Sequence, residues 1–459
     1  MIAICGTGMG ALAGMLKAKG FRVTGSDSNV YPPMSVQLEN QGIDVFNGYS
    51  GNNLKSKPDL VVVGNAVSRD NPEVQEMINQ KMSFCSMPQA VQHFFGSSGE
   101  LALITGTHGK TTTSALLSWV LYHNQYDPSF FVGGILKNFN SNSRVGQGKF
   151  LVIEGDEYDT AFFDKGPKFL HYTPSHLIVT SIEFDHADIY KDLRQIQDAF
   201  EKLLTKLPLT AYVAAYGADP IITSLISNMT NQRIETYGFD NTATWRIEDI
   251  KQQQSQTFFS VYYNNQLFGK FTSPLMGNHN LLNTLAVIGV AHDIGLSYSS
   301  INQAIQSFKG VKRRQEIRGV VNNITVMDDF AHHPTAVKET LKAVKPFYEQ
   351  GRIFAVFEPR TNSSRRRVFQ DIYPDSFNDA DIICIPKPPL MDKIPEQDRF
   401  SSEQLVADLK SRGKQAHYFE NTEAIIAFIF EHAKPNDLIL IMSNGGFDQI
   451  HEKLIQKLN

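Results

Sequence analysis

Lys110 and Thr111 follow a turn bounded by Gly106 and Gly109, and the turn closes the apolar run Leu101-Ala102-Leu103-Ile104. Beyond them Ala115, Leu116, Trp119 and Val120 recur at helical spacing. Strand, glycine turn, Lys-Thr and helix is the order of a phosphate-binding loop, in which backbone N–H groups converge on an anion at a helix N-terminus. Lys110 would neutralise terminal phosphate charge, and the Thr111 hydroxyl would face Mg²⁺. The loop Gly106-Thr107-His108-Gly109-Lys110-Thr111-Thr112 is shorter than the common pattern. An ordinary glycine turn into a buried helix is the competing reading. The flanking strand and helix favour ATP.

Two acidic clusters end later apolar runs. Phe150-Leu151-Val152-Ile153 leads into Glu154-Gly155-Asp156-Glu157-Tyr158-Asp159, and Leu177-Ile178-Val179-Thr180 into Glu183-Phe184-Asp185-His186-Ala187-Asp188. Four carboxylates within six residues repel one another unless a cation or solvent relieves them. Solvated turn acids are the plainer reading of any one. Mg²⁺ prefers oxygen ligands, so ion chemistry alone gives His186 no role. Near the N-terminus, Gly6-Thr7-Gly8-Met9-Gly10-Ala11 with Asp27 further on matches the dinucleotide fingerprint, which leaves the ligand open. Asp27 could take a ribose hydroxyl or a uracil edge, or cap the next turn.

The elements that must position these groups follow an α/β pattern. Met1–Cys5, Phe21–Gly25 and Leu60–Gly64 are expected strands between helical segments, with Asn65 and Ser68 at a carboxyl end where open sheets bind ligands. Gly96-Ser97-Ser98-Gly99 reads as a linker. Asn278, Asn280 and Asn283 open a helix that they could cap. Asn283 could instead face a base. Gly310 ahead of Lys312-Arg313-Arg314 suggests a hinge from which an arginine could reach phosphates. Strand–helix alternation then resumes, with polar runs at Asp328–Pro334, Glu358–Arg367 and Ser443–Phe447. Three domains are expected: 1–98, 99–314 and 315–459. The first and third are Rossmann-like, and the second is a P-loop ATPase-like α/β domain.

Composition sets limits. The 459 residues are 42% apolar and 20% charged, a globular balance, and the net charge of −4 offers no basic field for nucleic acid. Cys5, Cys85 and Cys384 lie far apart and favour a reducing compartment. Neither a secretory leader nor a run near the ~18 apolar residues of a membrane span is present, so a cytoplasmic protein is expected.

Taken together, the Thr105–Thr112 loop, Glu154-Gly155-Asp156-Glu157, Asp185-His186, His279-Asn280 with Asn283, and Asp328-Asp329-Phe330-Ala331-His332-His333-Pro334 resemble the Mur ligases in content and in order. The resemblance spans essentially the whole chain. The runs Ser26–Ser35, Glu157–Lys165, Glu183–Ile189, Phe357–Arg360 and Met442–Phe447 resemble the branch that adds a tripeptide.

That resemblance implies an ATP- and Mg²⁺-dependent ligase of peptidoglycan recycling. It would join UDP-N-acetylmuramate to L-alanyl-γ-D-glutamyl-meso-diaminopimelate through an acyl phosphate. It also implies roles by position. Lys110 and Thr111 would hold the γ-phosphate and one Mg²⁺, and Glu154 and His186 a second. Asn283 would contact adenine, Asp329 ribose, and Arg314 the phosphates. Gly8, Asp27, Asn65, Ser68 and Asn138 would hold the UDP-sugar, and Arg360, Asn362, Ser363, Asn444 and Phe447 the peptide. Many members carry a carbamylated lysine about fifteen residues after the metal histidine. Here that position falls near Glu201, beside Lys202, and no carbamate is inferred. An alanine-adding ligase of the same branch is the alternative; an NAD-dependent oxidoreductase built on Gly6–Asp27 and a non-catalytic ATP switch are more distant ones.

Overall fold

The computed structural model describes residues 1–30, 34–97, 99–187, 189–229, 233–253 and 256–459. Tyr31, Pro32 and Pro33 of the branch-specific run, Ser98 of the expected linker and Asp188 lie outside them. Three parallel-rich sheets follow one another along the chain, with a small antiparallel pair, Asp159–Ala161 and Asp164–Pro167, beside the second. The inner strands of the second and third are short continuous apolar runs buried on both faces, as helix-covered parallel strands must be.

In the first sheet, Thr24–Asp27 pairs in parallel with Asp44–Asn47, and Val61–Val63 with Phe84–Ser86. Ile2 joins the two pairs by parallel bridges to Ser26 and Val63. The expected Met1–Cys5 strand therefore reduces to one bridging residue. Ala3 takes a left-handed φ of 63°, which ends extension there, and the helix Thr7–Ala18 begins two residues after Cys5. Gly8 lies inside that helix rather than in a loop. A Cβ on it would sit 3.1 Å from the Met87 sulfur, so glycine lets the helix pack closely.

The central sheet has ten strands, parallel in its middle and antiparallel at both margins. Glu100–Thr105 lies between His176–Val179 and Phe150–Gly155, in register Ile104↔Ile178 and Ile104↔Glu154. The loop residues and both acidic runs thus emerge side by side at the carboxyl ends of three adjacent strands, where open α/β sheets take ligands. The third sheet has six strands, with Ile324–Asp329, Leu438–Met442 and Ile353–Phe357 adjacent and parallel. No described helix is long and apolar enough to cross a membrane.

Candidate active site

Lys110 opens the helix Lys110–His123, and Gly109 precedes it with φ 82°. Gly106 has φ 128°, and a Cβ there would fall 2.2 Å from the Thr180 hydroxyl oxygen and 2.8 Å from Ser181 backbone atoms. Both glycines are therefore fixed by conformation and by space. Gly106→Ala should cost about 1–3 kcal/mol of stability, read as a drop of several degrees in melting temperature.

The Lys110 ammonium folds back over the loop, donating to the Gly106 carbonyl at 2.6 Å and to Glu157 at 2.8 Å. His186 lies on the other side of the same carboxylate, its Nε2 3.2 Å from Glu157 Oε1. Glu157 thus joins Lys110 to His186. Burial alone would raise its pKa, but Lys110 and the His186 bond outweigh burial and hold it low. Burial works against Lys110 too, and Glu157, Asp156 and Glu154 together reverse it and raise its pKa.

The crowding of carboxylates is relieved mostly by lysines. Lys168 pairs with Asp156 at 3.1 Å, Lys165 with Asp159 at 3.1 Å, and Lys110 with Glu157. Glu154 is the exception. Among the described residues it makes no ion pair; it accepts from the Thr111 hydroxyl at 2.8 Å and the Gly133 amide at 2.7 Å. Burial, then Asp156, pushes its pKa up. A half-buried carboxylate beside a threonine hydroxyl, without a lysine or arginine of its own among the described residues, is an oxygen donor set that suits Mg²⁺. His186 contacts Glu157 rather than Glu154.

The third sheet closes over this cluster. Arg314 donates to the Thr111 hydroxyl at 3.2 Å and lies over the Phe330 ring. Its neighbour Arg313, at φ 62°, donates to the Ser443 and Gly445 carbonyls at 2.5 and 2.7 Å. The two hinge arginines thus reach opposite blocks. Ser363 donates to Asp185 at 3.0 Å, and Thr335 to Glu183 at 2.7 Å.

The remaining expected residues divide. Asn283 faces the loop, its Oδ1 2.4 Å from where a Gly109 Cβ would be, and it donates to Asn280 at 3.2 Å. No asparagine caps that helix; Gly277 does, at φ 91°. Asp329 is buried, and its two oxygens accept the Gln315 and Ala331 amides, each at 2.8 Å. Asp27 accepts from Cys5 at 2.9 Å and Asn29 at 3.1 Å, which is the turn-capping alternative. Asn65 and Ser68 are exposed at the end of Val61–Val63. Both ends of the Asn138 amide are engaged within the central block, its nitrogen donating to the Ser307 carbonyl at 3.2 Å and its oxygen accepting from the Lys309 amide at 2.8 Å. Arg360 lies 3.3 Å from Glu358 and against Gly445, and Asn362 accepts from Arg365 at 2.8 Å. Asn444 presents a buried side-chain oxygen without a hydrogen-bond partner among the described residues. Phe447, expected in the peptide pocket, is instead core: it is 2% exposed and belongs to the same apolar cluster as Ile441, Ile450 and Leu454. Glu201 and Lys202 are exposed on the helix Leu193–Thr205.

Sequence reasoning did not select Glu157, Glu183 or Asp185 as site residues. It had both clusters, but nothing in spacing tells which of several turn acids points inward.

Three family models match in succession: "Mur ligase family, catalytic domain" over residues 1–97, "Mur ligase middle domain" over 104–291, and "Mur ligase, glutamate ligase domain" over 313–445. The UDP-N-acetylmuramate–L-alanyl-γ-D-glutamyl-meso-2,6-diaminoheptandioate ligase of Haemophilus influenzae is 38% identical, the match covering 100% of this chain and 98% of that one. The UDP-N-acetylmuramate–L-alanine ligase of Geotalea uraniireducens is 32% identical, over 100% and 97%. The crystal structure of a murein peptide ligase from Psychrobacter arcticus superposes with a TM-score of 0.72 at 34% identity, covering 100% of this chain and 98% of that one. With matching models in order along the chain and relatives aligned from end to end, the protein belongs to the Mur ligase family.

Proposed function

We propose that the protein uses ATP to join UDP-N-acetylmuramate to L-alanyl-γ-D-glutamyl-meso-diaminopimelate, releasing ADP and phosphate. The observation that carries this reading is the convergence of Lys110, Thr111, Glu154 and Arg314 where two sheets meet. The substrates named for the Haemophilus relative support the acceptor. A free carboxylate resists amine attack because its oxygen leaves poorly. Transfer of the γ-phosphoryl group onto the lactyl carboxylate breaks the Pγ–O bond to ADP and creates a better leaving group. The peptide amine then attacks the acyl carbon, loses a proton and expels phosphate. Several anions must meet, so the protein's contribution is positioning and charge neutralisation.

Lys110 would leave Glu157 for the γ-phosphate, Arg314 would reach the same phosphates from the hinge, and Asn283 and Asp329 would bracket the nucleoside. Thr111 would face one Mg²⁺, and Glu154 and His186 would hold a second; the ions would supply positive charge against the phosphate oxygens. In this reading Gly8, Asp27, Asn65 and Ser68 lie on the UDP-sugar block, and Arg360, Asn362, Ser363 and Asn444 on the peptide block. The domain limits are taken as 98 and 314, supported by each sheet lying wholly between them. Cytoplasmic residence belongs to the same proposal, supported by nucleotide-linked substrates and three unpaired cysteines.

ADP release should require UDP-N-acetylmuramate and the tripeptide together. Efficient turnover with L-alanine and little with tripeptide would move the protein to the alanine-adding reaction. ATP hydrolysis indifferent to every acceptor would defeat both readings.

A further inference from the structure

His108, Glu183 and His333 bring two ring nitrogens and one carboxylate oxygen within 4.8 Å of one another. His108 belongs to the phosphate loop, Glu183 follows the His176–Val179 strand, and His333 precedes the helix Pro334–Val344 beyond the hinge. The Mg²⁺ assignment uses none of the three. We propose that they form a separate site for a zinc-type transition-metal ion, bridging the central and C-terminal blocks.

Three features support this. First, the separations suit an ion better than direct bonds. His108 Nε2 lies 3.4 Å and His333 Nδ1 3.8 Å from the same oxygen, Glu183 Oε2. Both exceed a good charged hydrogen bond. They are close to the ~3.3 Å between ligand atoms that tetrahedral bonds of about 2.0–2.1 Å impose.

Second, the ligands are already oriented. His333 Nε2 lies 3.2 Å from the Phe184 carbonyl, to which it can only donate, so Nδ1 is the lone-pair nitrogen facing Glu183. A ring nitrogen donating to a backbone carbonyl while the other faces the ion is the usual outer arrangement of a metal-binding histidine. Among the described residues Nδ1 accepts from the Thr335 amide at 3.3 Å, the capping bond of the helix Pro334–Val344, which an ion would displace. Glu183 is tied to the loop carrying His108, because its amide donates to the Thr107 hydroxyl at 2.8 Å, and Thr335 holds its carboxylate at 2.7 Å.

Third, the donor set discriminates. Two imidazoles and one carboxylate suit Zn²⁺ or Co²⁺, whereas Mg²⁺ prefers oxygen. With His333 7% exposed and Glu183 36%, the site opens on one side, leaving a fourth position for water. An ion there would tie the blocks on either side of the hinge together.

The test uses chelator-stripped full-length protein titrated with Co²⁺ alone, without nucleotide. One equivalent should develop the visible absorption of four-coordinate cobalt, and Zn²⁺ should abolish it. Glu183→Gln, which keeps the Thr335 bond, and His333→Ala should each raise the apparent Co²⁺ dissociation constant at least tenfold. His186→Ala, at the proposed Mg²⁺ site, should leave the band in place. Circular dichroism of each stripped variant checks that it folds, and the isosteric Glu183→Gln suffices if His333→Ala does not. A missing band, one indifferent to Glu183→Gln, or one lost only in His186→Ala would overturn the proposal. Failure of the ligase assay would leave this result unaffected.

Discussion

Lys110→Met is expected to lower kcat/KM by about a hundred- to a thousandfold, the scale seen when one preorganised charge-stabilising group is removed. UDP-sugar affinity should stay within about twofold. The ammonium has one local counter-ion within bonding distance, Glu157 at 2.8 Å, and that pair lies at the end of the central sheet. The proposed UDP-sugar residues sit on a different sheet. The substitution also strips the cation shared by Glu157, Asp156 and Glu154, whose fields act on Lys110 together. Breaking one side of a buried pair costs about 3–5 kcal/mol, so the melting temperature should fall as well. Titration calorimetry with UDP-N-acetylmuramate and with a non-hydrolysable ATP analogue separates the effects. Loss of both affinities in a variant that still melts cooperatively would contradict the separation of sites.

The loop, its strand and its helix were legible because each level agreed: an apolar run, two glycines at forced angles, and a helix with an apolar face. The continuous runs Phe150–Ile153 and Leu177–Thr180 were legible for the same reason, whereas the polar or alternating strands Asp44–Asn47, Trp245–Gln253, Gln256–Tyr263 and Gln266–Ser273 carry no such run. The first strand was not. Met1–Cys5 has the composition of a strand, but Ala3 takes a left-handed φ and only Ile2 bridges to the sheet before the helix begins at Thr7, which no local pattern records. Phe447 failed differently. Its neighbourhood of serine, asparagine and glycine suggests a binding loop, yet positive φ at Phe447, Asp448 and Gln449 turns the ring inward.

The acid clusters show where reading from sequence stops. Their charge density called for cations, and the cations were found, but mostly as Lys165, Lys168 and Lys110. Charge alone did not single out Glu154, which the family resemblance named; in the structure it is the carboxylate left for an ion once the lysines have paired with the others. That subtraction depends on residues as far as 47 positions apart in sequence, as with Lys110 and Glu157. It is tertiary information. The same holds for His108, Glu183 and His333, which are ordinary as single residues and meet only when two blocks close.

Glu157→Gln provides the sharper separation of roles. His186 holds φ 53°, its amide donating to Asp185 at 2.7 Å, so its backbone is fixed and its ring turns on one bond, from Nε2 to Glu157. If Nε2 is committed to that carboxylate, Nδ1 is the nitrogen offered to Mg²⁺, and Glu157 is a positioning residue. Losing such a partner typically costs ten- to a hundredfold in metal affinity or activity. The Mg²⁺ concentration for half-maximal rate, measured above the level that saturates ATP, should therefore rise about ten- to a hundredfold in Glu157→Gln. The nucleotide should respond the other way. Glu157 also holds Lys110 in the absence of phosphate, so removing its charge frees the ammonium and should lower the KM for ATP. A merely structural glutamate would move both constants in the same direction, and an unchanged Mg²⁺ requirement would remove His186 from the metal site. Opposite movement of the two is the signature of one carboxylate that restrains the lysine and orients the histidine.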